Sequence, residues 1–171
     1  MQKSIPTADD LIRQFNLQPH PKEGGFFRET YRADESLPAP ALAARYNGPR
    51  SASTAIYYLL TPPTCSALHR LQSDEVFHFY LGDLVEMLQL FPDGTGRTIL
   101  LGNPLNGGQP QVVVPRGVWQ GSVLKPGGEF ALLGCTVAPG FDYTDYEHGD
   151  RAALVAQYPQ FADFIRRLTP G

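Results

Sequence analysis

The chain has 171 residues, 42% of them hydrophobic, with 14 basic against 17 acidic residues and a formal net charge of −3. That length suits one domain over residues 1–171, able to bury about 70% of the surface its unfolded chain exposes, so no staple is needed for folding. No block of Lys or Arg stands out, which argues against nucleic acid and anionic membrane as partners.

The opening stretch MQKSIPTADD lacks the apolar core of a secretory signal, and no apolar run is long enough to span a bilayer. A soluble, cytoplasmic protein is expected. TADDLIRQF reads as a helix, with Thr7 as N-cap, Asp10 three residues later, and Leu11, Ile12 and Phe15 as its apolar stripe. GGFFRETYRA then alternates, with Phe27, Glu29 and Tyr31 on one face and Phe26, Arg28 and Thr30 on the other. ESLPAPALAARYNGPR is a long irregular connection, either a lid or a plain surface loop.

STAIYYLL, DEVFHFYLG, LVEMLQLF, RTILLG, QVVVP and EFALLGCTV follow as strands, mostly bounded by turn signals such as TPPT, PDGTG, NPLNGG and KPGG. Many short strands with no helix between them predict an antiparallel sandwich or barrel. DYTDYEHGD is acid-rich, but it lacks the turn glycine and closing Glu of an EF-hand, so it reads as a solvated connection. DRAALVAQYPQFADFIRRL closes the chain with a helix capped by Asp150. Pro159 breaks that helix and starts a second, facing Phe161, Phe164, Ile165 and Leu168 inward. Cys65 and Cys135 sit in no C-x-x-C pair and read as small buried hydrophobes.

The chemistry concentrates in ALHRLQSDEVFHFYLGD, residues 67–83. His69 and Glu75 flank the turn signal QSD. Two adjacent strands joined by that turn would point both groups into one interior. A carboxyl desolvated there has its pKa raised, by as much as roughly 3–5 units when fully buried. If Glu75 points inward, so do Phe77 and Phe79, while His78 and Tyr80 take the other face.

His69, then Glu75, then six residues to Gly82 resembles the first motif of the cupin superfamily, and VVPRGVWQG resembles its second through Pro115 and Gly117. The chain also resembles the cupin-5 group, through HPKEGGFFRETYRA, STAIYYLL, HRLQSDEVFHFYLGD, VVPRGVWQG and VAPGFDYTDYEHGDR. That resemblance implies an all-β double-stranded β-helix, or jelly roll, with short N- and C-terminal helices, and a homodimer. Two departures stand out. Leu71 falls where the first motif carries its second His, and Gln120 falls where the second motif carries its His.

Three readings follow. The first is a metal-independent isomerase or epimerase on a carbohydrate-like substrate, with His69 as general base, Glu75 orienting it or serving as the acid, Glu29 facing inward and Tyr57 as a proton donor. The second is a metal-dependent oxygenase or isomerase, with His69, Glu75 and Gln120 holding a divalent ion. The third is a non-enzymatic module that recognises a small molecule through Phe77, Gln120 and aromatic walls. Trp119 either closes the mouth of the pocket or packs against a dimer partner.

Overall fold

Two antiparallel sheets face each other across one apolar interior in the computed structural model, which describes residues 6–170. Residues 1–5 of the opening stretch and Gly171 lie outside the described residues. The chain runs α1 (Ala8–Phe15), β1 (Gln18–Pro19), β2 (Phe26–Arg32), β3 (Ser36–Leu37), β4 (Arg50–Ser51), β5 (Thr54–Leu60), β6 (Cys65–Arg70) and β7 (Asp74–Gly82). It continues through β8 (Val85–Leu90), β9 (Gly96–Leu101), β10 (Gln111–Val114), β11 (Trp119–Leu124), β12 (Ala131–Ala138), β13 (Glu147–His148), α2 (Arg151–Gln157) and α3 (Ala162–Arg167). One sheet has the order β1-β2-β5-β12-β7-β10 and the other β13-β6-β11-β8-β9. This is an all-β jelly roll with short helices at its ends. No helix among the described residues is long and apolar enough to cross a membrane.

Alternation builds the interior. Tyr58, Leu60, Phe77, Leu133 and Cys135 come from the first sheet and meet Val85, Met87, Leu101 and Leu124 from the second. The helices cover part of each outer face. Leu11 of α1 packs with Leu59, Phe130 and Leu132, and Leu154 of α2 and Ile165 of α3 pack with Leu68, Leu88 and Leu90. Thr7 caps α1 as predicted: its Oγ1 accepts the Asp10 N–H at 3.2 Å, and the Asp10 carboxylate accepts the Thr7 N–H at 3.0 Å. Asp150 accepts the Ala153 N–H at 2.8 Å and starts α2.

Four expectations need correcting. The strands carrying His69 and Glu75 are not paired neighbours, because β6 and β7 lie in opposite sheets. The QSD turn is therefore a corner between sheets, and the two groups approach each other across the interior. Tyr57 is no inward proton donor. Its register with Arg28 and Gly134 puts it on the outer face, where its ring lies 5.0 Å from Phe15 and 6.1 Å from Tyr80. Trp119 does not close a pocket mouth. It packs among Leu68, Leu88, Leu90 and Tyr158 beneath the C-terminal helices, with the Arg70 guanidinium 4.4 Å above its ring. Finally, the long connection before β4 braces the corner rather than covering a cavity. Tyr46 is buried, with its hydroxyl 2.9 Å from Ser73 Oγ, and Arg45 Nε donates to the Gln72 carbonyl at 2.9 Å.

Candidate functional site

His69 is the penultimate residue of β6, and its ring is buried. Its Nδ1 lies 2.7 Å from the Ala67 carbonyl, which only accepts, so the ring proton sits on Nδ1 and Nε2 presents a lone pair. Gln120, its cross-strand partner on β11, aims its amide nitrogen at that lone pair from 2.7 Å and donates its other proton to Glu75 Oε2 at 3.0 Å. Glu75 Oε2 is 4.0 Å from His69 Nε2. Tyr146 stacks on the imidazole with ring centroids 5.0 Å apart. Cys135 lines the same cavity as Glu75.

A second carboxylate, absent from the sequence-derived site, joins this group. Glu23 belongs to HPKEGG, the loop before β2. Gly24 and Gly25 hold φ of 90° and 68°, and a Cβ on either would press on the carbonyl of Cys65 or Leu59. Only glycine lets the loop lie this close to β5 and β6, where the Glu23 carbonyl accepts the Ala67 N–H at 2.8 Å. Glu23 Oε1 is then 3.7 Å from Nε2 of both His69 and His20. His20 Nδ1 accepts the Glu23 N–H at 2.9 Å, so its proton resides on Nε2, facing the carboxyl.

These groups back onto a cavity of about 370 Å³. Glu23, Glu75, His20, Leu71, Ile56 and Cys135 form its inner wall, and the more exposed Glu29, Arg32 and Tyr143 stand at its mouth with Phe141 and Asp142. The segment DYTDYEHGD, expected as a solvated connection, supplies one side of the cavity and the ring that stacks on His69. Of the residues nominated from sequence, Glu75 and Glu29 line the cavity. His69 and Gln120, each 1% exposed, lie behind the carboxylates, and Phe77 is part of the apolar core. The inner wall thus presents Glu75 and Glu23 to the cavity, with His69 close to both.

Burial dominates the electrostatics. It pushes Glu75 up to about 7 and Glu23 up to about 8, and it pushes His20 down to about 4 and His69 below its ordinary value. Stability must follow. The carboxyls stay protonated in the fold at pH values where the unfolded chain has lost those protons, so their contribution is full below about 4.5 and is lost as pH rises through 7 and 8. The histidines work in the opposite sense, up to the unfolded value of 6.5. The two effects offset each other below that point. From pH 6.5 to 8.5 only the carboxyls remain, and unfolding free energy is expected to fall by roughly 2 kcal/mol. Urea unfolding across that window checks this. Glu23→Gln should flatten the slope, and an already flat wild-type curve would refute the assignment.

The donor set does not fit the divalent ion that the alternative reading places on His69, Glu75 and Gln120. The structure brings all three together, but Gln120 turns N–H donors, not its oxygen, toward the other two, and its Oε1 has no partner. Leu71 offers a hydrocarbon to the cavity where a further ligand would be needed. Among the described residues, no group of three or more His, Cys, Asp or Glu side chains is arranged to hold a metal ion.

Comparison with known proteins agrees with this architecture. The family model described as Cupin superfamily (DUF985) matches residues 9–149. Uncharacterized protein YML079W from Saccharomyces cerevisiae is 32% identical over 149 residues, covering 82% of this chain and 74% of the yeast protein. A hypothetical protein from Leishmania major superposes with a TM-score of 0.87 at 32% identity, over 97% of this chain and 100% of that one. Protein SO0799 from Shewanella oneidensis gives 0.85 at 35% identity, over 97% and 99%. The strand order, the motif glycines and this match across most of the length lead to one conclusion: the chain belongs to the Cupin_5 family of the cupin superfamily.

Proposed function

We propose that this protein is a metal-independent isomerase or epimerase acting on a small carbohydrate-like substrate. One observation carries the reading. Two carboxyl groups held near neutrality by burial face a single cavity, and both come within 4.0 Å of the same imidazole nitrogen. Near pH 7 Glu75 is partly ionised and serves as the base, and Glu23 still carries its proton and serves as the acid. Glu75 takes a proton from the carbon next to a carbonyl. The electron pair left behind moves into the carbonyl as an enolate. Glu23 then returns a proton to carbon. Gln120 and His69 hold Glu75 in place through the amide bridge. The cavity lies in the range that encloses a small metabolite.

Proton NMR in deuterium oxide tests the reading directly. A panel of aldoses, ketoses and their oxidised derivatives is incubated with the protein. The expected result is deuterium wash-in at a single carbon of at least one compound. Exchange no faster than in buffer across the whole panel would overturn it.

A further inference from the structure

The mouth of the cavity has its own charge pattern. Glu29 and Asp142 are acidic and Arg32 is the basic residue among the lining groups. Arg32 is already committed: Nε and Nη2 donate to the two Glu29 oxygens at 3.0 and 2.7 Å, and Nη1 and Nη2 both donate to the Phe141 carbonyl at 3.3 Å. A guanidinium has five N–H donors, and four hydrogen bonds here run within the chain. Little is left for an incoming anion. Asp142, by contrast, keeps its charge. Its Oδ1 accepts the Thr144 N–H at 2.8 Å and hydroxyl at 2.7 Å, and these bonds hold the carboxyl below its ordinary value.

The aromatic rim is also suited to a cation. Phe141 and Tyr143 meet edge to face with centroids 5.0 Å apart beside Asp142. The protein's own Lys22 ammonium sits 5.0 Å above the Tyr143 ring and 5.4 Å above that of Tyr146. Lys22 shows that these rings hold an ammonium, and because it occupies them it leaves Phe141 and Asp142 to meet an incoming cation. Deeper in, Glu23 and Glu75 add acid and no fixed positive charge, and His20 is buried and neutral near pH 7.

We infer that the Glu29–Arg32 pair sets the charge selectivity of the cavity mouth, so that the substrate is a hydroxylated compound bearing an ammonium group and no phosphate. This rests on the reading of the cavity as a substrate site, and it deepens that reading by naming the substrate's chemical class. The ammonium sits at the rim against Asp142 and Phe141, away from the carbon that exchanges its proton on the inner wall. A phosphate would have to displace Glu29 from Arg32 in a cavity that Asp142 also lines.

Binding at low salt to three probes of one scaffold, glucose, glucosamine and glucose 6-phosphate, tests the inference by titration calorimetry or ligand-observed NMR. The wild type is expected to bind glucosamine about tenfold tighter than glucose, with glucose 6-phosphate weakest. Glu29→Gln removes the carboxylate that neutralises Arg32 and should shift the phosphate-to-amine ratio by about tenfold toward phosphate. The Glu29 side chain is 41% exposed, so the substitution leaves the core untouched. Arg32→Gln should sharpen the amine preference instead. Equal or tighter binding of the phosphate by the wild type, no binding of the amine, or an unchanged ratio in Glu29→Gln would each overturn the inference. Amine preference without deuterium wash-in would support it and sink the acid–base reading alone.

Discussion

Asp145→Ala is expected to lower unfolding free energy by about 3–5 kcal/mol, measured by urea denaturation at neutral pH. Asp145 and Arg50 form a buried, two-pronged ion pair, with Arg50 Nε 2.7 Å from Oδ2 and Nη2 2.6 Å from Oδ1. Their side chains are 5% and 3% exposed. Removing the carboxylate leaves a guanidinium in the protein interior, with the Asn47, Gly48 and Pro49 carbonyls and the Thr144 hydroxyl as its remaining partners. Those neutral acceptors do not balance a charge that water no longer reaches. Arg50→Met combined with Asp145→Leu removes both charges and should retain much more stability than the single variant. The pair is one of the anchors of the strap at residues 141–146, so Asp145→Ala should weaken binding to the cavity that Phe141, Asp142 and Tyr143 wall. A loss under about 1 kcal/mol would show that the strap is held by other contacts.

That ion pair illustrates why the site was only partly legible in the sequence. Arg50 and Asp145 are far apart in the chain, and nothing local to DYTDYEHGD marks Asp145 as buried or Tyr146 as the ring that stacks on His69. Periodicity did better within strands. Glu75 and Phe77 face inward on β7, and His78 lies outside it, bonded to Thr136, as alternation requires. The same rule, applied to Gln120 on β11, already implies that Trp119 points out. It fails on β2, where the register shifts between Glu29 and Tyr31, leaving Glu29 at the cavity while Tyr31 is 54% exposed. His20 and Glu23 escaped because they belong to a loop, where side-chain direction follows no period. The signal that pointed to them was the pair Gly24–Gly25, which marks a backbone needing positive φ and close approach. The fold was more readable than the site because strands and caps are local patterns, whereas the site is assembled from loops and opposite sheets.

Glu75→Gln should separate catalysis from folding most sharply. The amide keeps the shape of the carboxyl and can still meet Gln120, but it cannot take a proton. Loss of a positioned base lowers rates by about 10²- to 10⁴-fold, and deuterium wash-in into the substrate should fall by that factor. Stability should move the other way. Burial raises Glu75 to about 7, so above that pH the fold carries a carboxylate that water would hold more favourably. The Gln variant escapes that cost and should match or exceed the wild type in urea at pH 8, a trade typical of groups kept for chemistry rather than for the fold. The wild-type pH profile of kcat/KM should rise as Glu75 ionises near 7 and fall as Glu23 loses its proton near 8. In Glu75→Gln the rising limb should vanish while the falling limb stays. A variant that keeps wash-in within threefold of wild type would remove Glu75 from the mechanism. A variant that loses both activity and stability would show that the carboxylate serves the architecture instead.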